Sequence, residues 1–326
     1  MEKSLGADVV NKHKKVSLLI PFYNEREVLP QLFDRLVALM DAHDAYDWEV
    51  MLVNDGSTDD GLLAVRMMRE RDSRFRFIDL SRNFGKEIAM LAGMDYVTGD
   101  CVVIMDADLQ HPPEVIPQML EAWEQGYDDV YAKRRVRGKE PWIRRKLSML
   151  YYRILQSSSK VPVLRNIGDF RLLDRICVNA LCQMRETQRY TKGMYSWIGF
   201  RKKDIEFDQG SRVAGTTKWN FFKLLGLAIE GITSHTTMPL RISSVVGLIV
   251  SLGAFIYALY VFIKALVCGD PVQGFPTIII VMLFLGGVQL LSLGVIGEYL
   301  GRIFNETKKR PPYFVREVDG KKPGEK

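Results

Sequence analysis

Residues 16–25 read Val-Ser-Leu-Leu-Ile-Pro-Phe-Tyr-Asn-Glu, a short apolar run that ends in polar residues. An uninterrupted apolar run of this length is typical of a strand buried on both faces of a parallel sheet. Similar runs follow at 49–54, 75–80 and 101–105, and stretches of helical spacing separate them at 27–43, from about 60 to 71, and at 85–97. This alternation predicts an α/β domain whose mostly parallel sheet carries helices on both faces.

Polar residues follow each predicted strand at the point where it ends. They are Tyr23-Asn24-Glu25, Asn54-Asp55, Arg82-Asn83 and Asp106-Ala-Asp108. In sheets of this kind, ligands bind beyond the carboxyl ends of the strands. The sequence therefore predicts that these side chains converge on one edge of the sheet and form a binding site there.

The sharpest local pattern is Asp106-Ala-Asp108-Leu-Gln110, directly after an apolar strand. Two carboxylates at positions i and i+2 of a turn can share one divalent cation, and Gln110 can add a carbonyl oxygen. Mg²⁺ and Mn²⁺ prefer such oxygen ligands and often complete their shell with substrate phosphates. An acidic turn taken alone is more often a solvated loop, but its place at a strand end favours a metal site that neutralises a leaving diphosphate.

The last third of the chain differs in composition. The runs 242–267 and 275–297 carry no charge apart from Lys264, and each exceeds the roughly 20 residues that cross a bilayer. Arginine and lysine flank the pair of runs but are absent from the link between them, which predicts two membrane spans with both termini in the cytoplasm. The alternative is two buried helices of a large soluble core. Residues 219–232 suit an interfacial helix or a helix packed on the α/β domain.

These patterns divide the chain into five expected segments. They are a polar segment at 1–15, the α/β domain at 16–215, juxtamembrane interfacial helices at 216–241, two transmembrane helices at 242–300 and a cytoplasmic tail at 301–326.

The net charge of +6 suits an anionic partner, and the four cysteines lack metal-binding spacing. The spacing favours reduced thiols and a cytosolic catalytic part. No pattern of basic and aromatic residues supports a nucleic-acid partner.

Four motifs occur in the order seen in family 2 glycosyltransferases of GT-A fold. They are Ile-Pro-Phe-Tyr-Asn-Glu at 20–25, Val-Asn-Asp-Gly-Ser-Thr-Asp at 53–59, Ser-Arg-Asn-Phe-Gly-Lys at 81–86 and Met-Asp-Ala-Asp-Leu-Gln at 105–110. A smaller group within this family is indicated by further motifs at 168–172, 192–194, 197–200, 214–219 and 297–302. Over about residues 15–315 the chain resembles the polyprenyl-phosphate glycosyltransferases, and most closely the bactoprenol glucosyltransferases of O-antigen modification.

The resemblance implies a donor site with named residues. Pro21, Tyr23, Glu25 and Asp55 would hold the nucleoside, and Asp106, Asp108 and Gln110 would hold Mg²⁺ or Mn²⁺. Lys86, at a helix start, would face a donor phosphate, and Arg212 and Lys218 flank a glycine in a loop that could close over the phosphates. The plainer interpretations are a turn residue for Asp55 and an exposed helix lysine for Lys86.

The acceptor side is expected in the densest basic run of the chain, residues 133–146. By resemblance, Arg134, Arg144 and Ser148 match positions that bind the acceptor phosphate, and the last two share a helix face. A solvated basic face against anionic lipid headgroups is the alternative.

Asp169 occupies the place where many relatives carry a base. A phosphate nucleophile with a second pKa of about 6 is already largely ionised at neutral pH. Asp169 is therefore expected to orient sugar or acceptor, with base catalysis as a secondary option and an ion pair with Arg171 as the structural alternative.

The predicted activity is an inverting transfer of glucose from UDP-glucose to undecaprenyl phosphate at the bacterial inner membrane. The expected partners are the bilayer, further copies of the chain, a separate flippase and a downstream glycosyltransferase. A donor such as GDP-mannose, UDP-N-acetylglucosamine or a UDP-linked modified arabinose remains open. A remote alternative is a membrane-bound sensor of sugar nucleotides without turnover.

Overall fold

The computed structural model describes residues 13–135, 167–187, 189–208, 238–268 and 274–323. The chain divides into two compact units. The first, called here the α/β unit, contains 1–142, 163–218 and 311–326; the second, the helical unit, contains 143–162 and 219–310.

The α/β unit starts with strictly alternating strands and helices. They are β1 (Lys15–Phe22), α1 (Leu29–Asp41), β2 (Asp47–Asn54), α2 (Gly61–Arg71), β3 (Phe75–Leu80), α3 (Lys86–Tyr96) and β4 (Cys101–Ile104). After a 3₁₀ turn at Pro113–Val115 the unit continues with α4 (Ile116–Glu124), β5 (Asp129–Arg134), β6 (Ile167–Asp174), α5 (Arg175–Gln183), α6 (Thr191–Trp197) and β7 (Lys202–Phe207). The four apolar runs identified in the sequence are the first four strands.

The strands form one eight-stranded sheet in the order β7-β5-β6-β4-β1-β2-β3-β8, where β8 is Val315–Val318. Strand β1 is parallel to β2 and β4, β2 is parallel to β3, and β5 is parallel to β7. Strand β6 is antiparallel to β4 and β5, and β8 is antiparallel to β3. The predicted α/β fold with a mostly parallel sheet is confirmed.

Two hydrophobic clusters cover the two faces of the sheet. Along β1, Leu18 and Ile20 belong to the cluster that contains α1, α2 and α4, whereas Leu19 belongs to the cluster with α3, α5 and α6. This alternation follows from the two-residue period of a strand. Since both faces are covered, β1 is apolar at consecutive positions from Leu18 to Phe22, and its buried polar residue, Ser17, donates to Glu49 on β2 at 2.6 Å.

The segment after the second apolar run differs from the plain tail that the sequence predicts. Residues 311–326 belong to the α/β unit, and β8 pairs along the edge of β3. The stretch Val-Arg-Glu-Val at 315–318 is too short and too charged to be recognised as a strand without its partner.

The helical unit contains two long helices, α7 (Met238–Cys268) and α8 (Phe275–Thr307), which contact each other. They include the two apolar runs. Large apolar side chains are exposed on both, such as Leu248 and Leu290 at 71% and 72%. Within the described residues, one stretch, Phe284–Thr307, is long and apolar enough to cross a membrane. The predicted interfacial helix at 219–232 lies outside the described residues.

Candidate functional site

A cavity of about 330 Å³ opens at the carboxyl ends of β1, β2 and β4. Its lining is Pro21, Phe22, Tyr23, Glu25, Asp55, Asn83, Gly85, Lys86, Asp106, Ala107 and Asp108. The predicted convergence of the polar strand ends is therefore confirmed. Of the expected donor and metal residues in the described part of the chain, all but Gln110 line this cavity, and the Gln110 N–H donates to Asp108 Oδ1 at 3.1 Å.

Asn24 joins the loops that follow β1 and β2. Its Oδ1 accepts the N–H of Thr58 at 2.8 Å, and its own N–H donates to Ser57 Oγ at 3.0 Å. Asn24 has a φ of 56°, and asparagine is among the few residues that adopt this left-handed conformation readily. The sequence placed Asn24 at a strand end but gave it no role.

Asp55 organises residues 81–85, called here the donor loop. Its Oδ1 accepts the N–H of Phe84 at 2.7 Å, and its Oδ2 accepts the N–H of Gly85 at 2.9 Å. Burial raises the pKa of Asp55 and outweighs these two bonds, which lower it. Each carboxylate oxygen has a further lone pair. Asp55 can thus shape the loop and still accept a hydrogen bond from a ligand in the cavity.

Gly56 allows the donor loop to lie close to the turn after β2. Its φ is +68°, and a Cβ at this position would lie 2.4 Å from the carbonyl carbon of Arg82. At Gly85 the φ is also positive, at +92°, but no atom lies within 4 Å of a Cβ placed there. Both glycines have a positive φ, which favours glycine over other residues. Only at Gly56 would a side chain also clash with a neighbouring residue.

We expect Gly56→Ala to destabilise the protein by at least ~2 kcal/mol, because the left-handed backbone and the clash with Arg82 both count against it. The measurement is thermal unfolding in detergent. Gly85→Ala is the matched control, since it carries the backbone cost without the clash. If the two variants lost equal stability, the close approach of Gly56 to the donor loop would have no energetic role.

Asp106 and Asp108 lie on the turn after β4, both partly exposed to the cavity, with the buried Ala107 between them. Behind the turn, His111 Nδ1 accepts the N–H of Asp106 at 3.0 Å. The ring of His111 stacks on Phe170, with centroids 4.9 Å apart. Burial lowers the pKa of His111, so the ring stays neutral at neutral pH and Nδ1 remains an acceptor. No sequence signal marks this support.

Lys86 connects the two acidic parts of the site. Its Nζ lies 2.5 Å from Asp106 Oδ1 and 2.8 Å from Asp169 Oδ2. Burial lowers the pKa of Lys86, but the carboxylates of Asp169 and Asp106 more than offset this effect and raise the pKa above its usual value. Lys86 therefore carries its positive charge at the start of α3, where free backbone N–H groups also favour an anion.

Asp169 is buried on β6, and its Oδ1 has no hydrogen-bond partner among the described residues. Burial alone would raise the pKa of Asp169, but the cations of Lys86 and Lys192 outweigh it and hold the pKa below its usual range. The carboxylate is ionised at neutral pH. Its ion-pair partner is Lys86, whereas Arg171 pairs with Asp129 at 3.1 Å.

Beneath the site, the Arg171–Asp129 pair is almost fully buried, with side-chain exposures of 1% and 0%. The guanidinium of Arg171 lies 3.4 Å from the ring centre of Tyr195 on α6, and Lys202 Nζ lies 3.6 Å from Asp129. These contacts tie β5, β6, β7 and α6 together. They fix the part of β6 from which Asp169 projects.

Glu87 is another residue that the sequence did not identify. Its Oε2 accepts the N–H and the hydroxyl of Thr191, the first residue of α6. The bonds attach α6 to α3 next to Lys86. Their partners are separated by 104 residues, so no local pattern reveals them.

Lys86→Met should lower kcat/KM about a hundredfold, because the site loses the cation that faces both carboxylates. The variant should also move the acid limb of the pH–rate profile to higher pH. In the wild type the lowered pKa keeps Asp169 ionised into the acid range, so the contribution of Asp169 to activity is lost only as pH falls through that pKa. This pKa lies below the second pKa of about 6 of the acceptor phosphate, which titrates alike in wild type and variant. Without the cation of Lys86, the effect of burial on Asp169 is less fully offset, so the pKa of Asp169 rises and protonation begins nearer neutrality.

The measurement is kcat/KM from pH 4.5 to 8. Arg35→Met, which breaks the surface pair with Glu114, is the matched control. An unshifted acid limb in Lys86→Met would contradict the electrostatic role of Lys86 toward Asp169.

Of the five residues expected on the acceptor or lid side, the structure describes only Arg134. Arg144, Ser148, Arg212 and Lys218 all lie outside the described residues. Arg134, the remaining acceptor residue, is the last residue of β5 and is exposed.

The residues at the cavity fit a divalent cation. Asp106 and Asp108 offer partly exposed carboxylate oxygens on one turn, and the lysine ammonium at 2.5 Å from Asp106 marks a position that stabilises positive charge. Within the described residues, no three His, Cys, Asp or Glu side chains form a ready-made metal cage. A cation here would therefore take further oxygens from Gln110 and from the ligand, as Mg²⁺ and Mn²⁺ commonly do.

Comparisons with known proteins place this geometry in context. Residues 17–181 match the family "Glycosyl transferase family 2", and residues 238–303 match the "GtrB C-terminal hairpin". An uncharacterized glycosyltransferase of Synechocystis is 42% identical over 306 residues, 94% of this chain and 96% of that protein. A bactoprenol glucosyl transferase of Shigella phage SfX is 40% identical over 302 residues, 93% of this chain and 99% of that protein.

Solved structures are more distant. Glucosyl-3-phosphoglycerate synthase from Mycobacterium tuberculosis, in complex with Mn²⁺ and UDP-glucose, is 16% identical, with a TM-score of 0.45 over 68% of this chain and 77% of that chain.

Proposed function

Because this chain belongs to glycosyl transferase family 2 and carries the GtrB C-terminal hairpin, we propose that it transfers glucose from UDP-glucose to undecaprenyl phosphate. The observation that carries the proposal is the cavity in which Asp55, Lys86, Asp106 and Asp108 converge. The near full-length similarity to a bactoprenol glucosyl transferase supports the sugar and the lipid acceptor.

On the donor side, Pro21, Tyr23, Glu25 and Asp55 hold the nucleoside. The ammonium of Lys86 attracts the diphosphate, and Asp106, Asp108 and Gln110 hold Mg²⁺ or Mn²⁺. When bound, the cation neutralises negative charge on the departing UDP. Arg212 and Lys218 are proposed to close over the phosphates.

On the acceptor side, Arg134, Arg144 and Ser148 bind the lipid phosphate and offset its repulsion by the donor. A phosphate oxygen forms the new bond to the anomeric carbon while the bond from that carbon to UDP breaks on the opposite side, so the configuration inverts. The nucleophile has a second pKa of about 6 and needs no strong base at neutral pH.

Asp169 orients a reactant in this scheme. Its lowered pKa makes it a poor proton acceptor, and Lys86 holds one of its oxygens at 2.8 Å. The other oxygen is buried without a described partner, and Asp169 is not among the residues that line the cavity, so it acts on a reactant through Lys86, which does line it. A role as base would require Asp169 to leave the ion pair with Lys86.

The helices α7 and α8 are proposed to cross the bacterial inner membrane as a hairpin. The large apolar side chains exposed along both helices support a lipid surrounding, because water disfavours so much exposed apolar surface. The chain leaves the α/β unit before α7 and returns to it as β8 after α8. Both ends of the hairpin then emerge on one side, and the basic flanks favour the cytoplasm.

We also propose that the chain assembles into a homo-oligomer. A separate flippase moves the product across the membrane, and a downstream glycosyltransferase uses it. Two helices supply too little protein to form a path for a sugar across the bilayer.

The test uses detergent-purified protein, undecaprenyl phosphate and Mg²⁺ or Mn²⁺. Radiolabelled UDP-glucose, UDP-N-acetylglucosamine, GDP-mannose and a UDP-linked modified arabinose are supplied separately, with Asp108→Ala as the control. Label that enters the lipid phase only from UDP-glucose, and not in the variant, supports the proposal. Transfer from another donor alone would refute the proposed sugar. Nucleotide binding without transfer from any donor would support a sensor instead.

A further inference from the structure

The segment that follows the membrane hairpin reaches the donor loop. We call residues 313–319, which include β8, the strap. The carbonyl of Phe314 accepts the N–H of Ser81 at 2.9 Å, and Arg316 Nη2 donates to the carbonyl of Ser81 at 2.9 Å. Ser81 is the first residue of the donor loop. Both of its backbone hydrogen-bonding groups are therefore held by the strap.

A second route runs from the same arginine to the turn after β2. Arg316 Nη1 lies 3.4 Å from Oδ2 of the buried Asp79, and Asp79 Oδ1 accepts a hydrogen bond from Asn54 Nδ2 at 2.7 Å. Asn54 immediately precedes Asp55, whose carboxylate binds the other end of the donor loop at Phe84 and Gly85. Arg316 thus contributes to the position of the donor loop at both of its ends.

The strap is anchored independently of the donor loop. Glu317 pairs with Arg66 on α2 at 2.5 Å, and the hydroxyl of Tyr313 donates to Asp95 on α3 at 2.6 Å. Asp319 accepts the N–H of Phe77 at 2.9 Å and pairs with arginines of α2 and β3. These contacts fix the strap on elements on both sides of β3, so it can serve as a rigid support for Ser81.

We propose that the strap contributes to nucleotide binding and that Arg316 is a positioning residue for the donor. Arg316 touches no reacting atom; it sets the donor loop, whose Asn83 and Gly85 line the cavity. The inference rests on the proposed function. Since the loop contacts the nucleotide in the ground state and in the transition state alike, its loss should weaken donor binding and leave the chemical step unchanged.

The experiment compares Arg316→Ala, Arg316→Lys and Glu317→Gln in the full-length protein in detergent. Glu317→Gln is the matched control, because it weakens the ion pair of the strap with Arg66 and leaves the contacts of Arg316 with Ser81 and Asp79 in place. KM and kcat are measured with UDP-glucose, and the Kd of UDP is measured by calorimetry in the presence of Mn²⁺. Arg316→Ala should raise KM and Kd about tenfold, with kcat within about twofold of the wild type. Glu317→Gln should bind as the wild type does, and Arg316→Lys should recover part of the loss.

Unchanged KM and Kd in Arg316→Ala would overturn the inference, and so would an equal loss in Glu317→Gln. If Arg316→Ala fails to fold, the KM and Kd of Arg316→Lys are compared with those of Glu317→Gln. Values for Arg316→Lys that are no higher than those of Glu317→Gln would overturn the inference. The failures of the two proposals are distinguishable: a wild type that transfers no sugar refutes the proposed function, whereas the Kd of UDP still reports on Arg316.

Discussion

Asp108→Asn is expected to lower kcat about a thousandfold while the protein stays folded. Asp108 lines the cavity and is partly exposed, so its charge can reach a bound cation. Its Oδ1 also accepts the N–H of Gln110 at 3.1 Å, and an asparagine keeps that acceptor. The substitution therefore removes one negative charge, the proposed ligand of the cation, with little change to the turn. Losses of this size are typical when an electrostatic contact to the developing charge is removed.

The measurement is the initial rate of glucose transfer as Mn²⁺ is titrated. The variant should need more Mn²⁺ for half-maximal rate and should remain slow at saturation. Asp60→Asn serves as the control, because it removes the same charge from a surface pair with Arg26 outside the cavity. If Asp108→Asn kept a tenth or more of the wild-type rate, the assignment of Asp108 to the metal would be wrong.

Arg171→Met is expected to destabilise the α/β unit by about 3–5 kcal/mol. The substitution leaves Asp129 fully buried without its main partner, and removes a cation from the face of Tyr195. Lys202, at 3.6 Å, is the only other basic side chain that the described residues place within ion-pair distance of Asp129. A buried carboxylate that loses its partner keeps its desolvation cost, and this cost dominates the loss.

A double variant, Arg171→Met with Asp129→Leu, distinguishes the energetic cost of the unpaired charge from the cost of the lost packing. Chemical or thermal unfolding in detergent gives the stability of each variant. The double variant should regain most of the loss, because replacing a buried ion pair by apolar residues is often neutral. A double variant as unstable as Arg171→Met would show that the unpaired carboxylate is not the cause.

The sheet and the location of the site could be predicted from the sequence because both depend on local patterns. A strand covered on both faces is apolar at consecutive positions, as from Leu18 to Phe22 in β1, and it becomes polar where it leaves the sheet, as at Tyr23 and Asp106. Neighbouring parallel strands bring such ends together, and the cavity lining confirms it.

The partners within the site could not be predicted in the same way. Lys86 and Asp169 are 83 residues apart, and Arg171 and Asp129 are 42 apart. From the sequence, Lys86 could be interpreted as an exposed helix lysine or as a phosphate ligand. Its pairing with Asp169 could not be predicted, because it depends on where β6 enters the sheet. Strand β6 is antiparallel between β4 and β5, an order that hydrophobic periodicity does not encode.

The late arrival of β8 bears on how the protein is made. The contact of Glu317 with Arg66 spans 251 residues, and the intervening chain includes both long helices. During synthesis the edge of β3 stays open until the ribosome has passed those helices. An open sheet edge is a site for wrong pairing with other chains. The catalytic domain is therefore completed only after the hairpin has been translated, which ties maturation of the nucleotide site to the biogenesis of the helices.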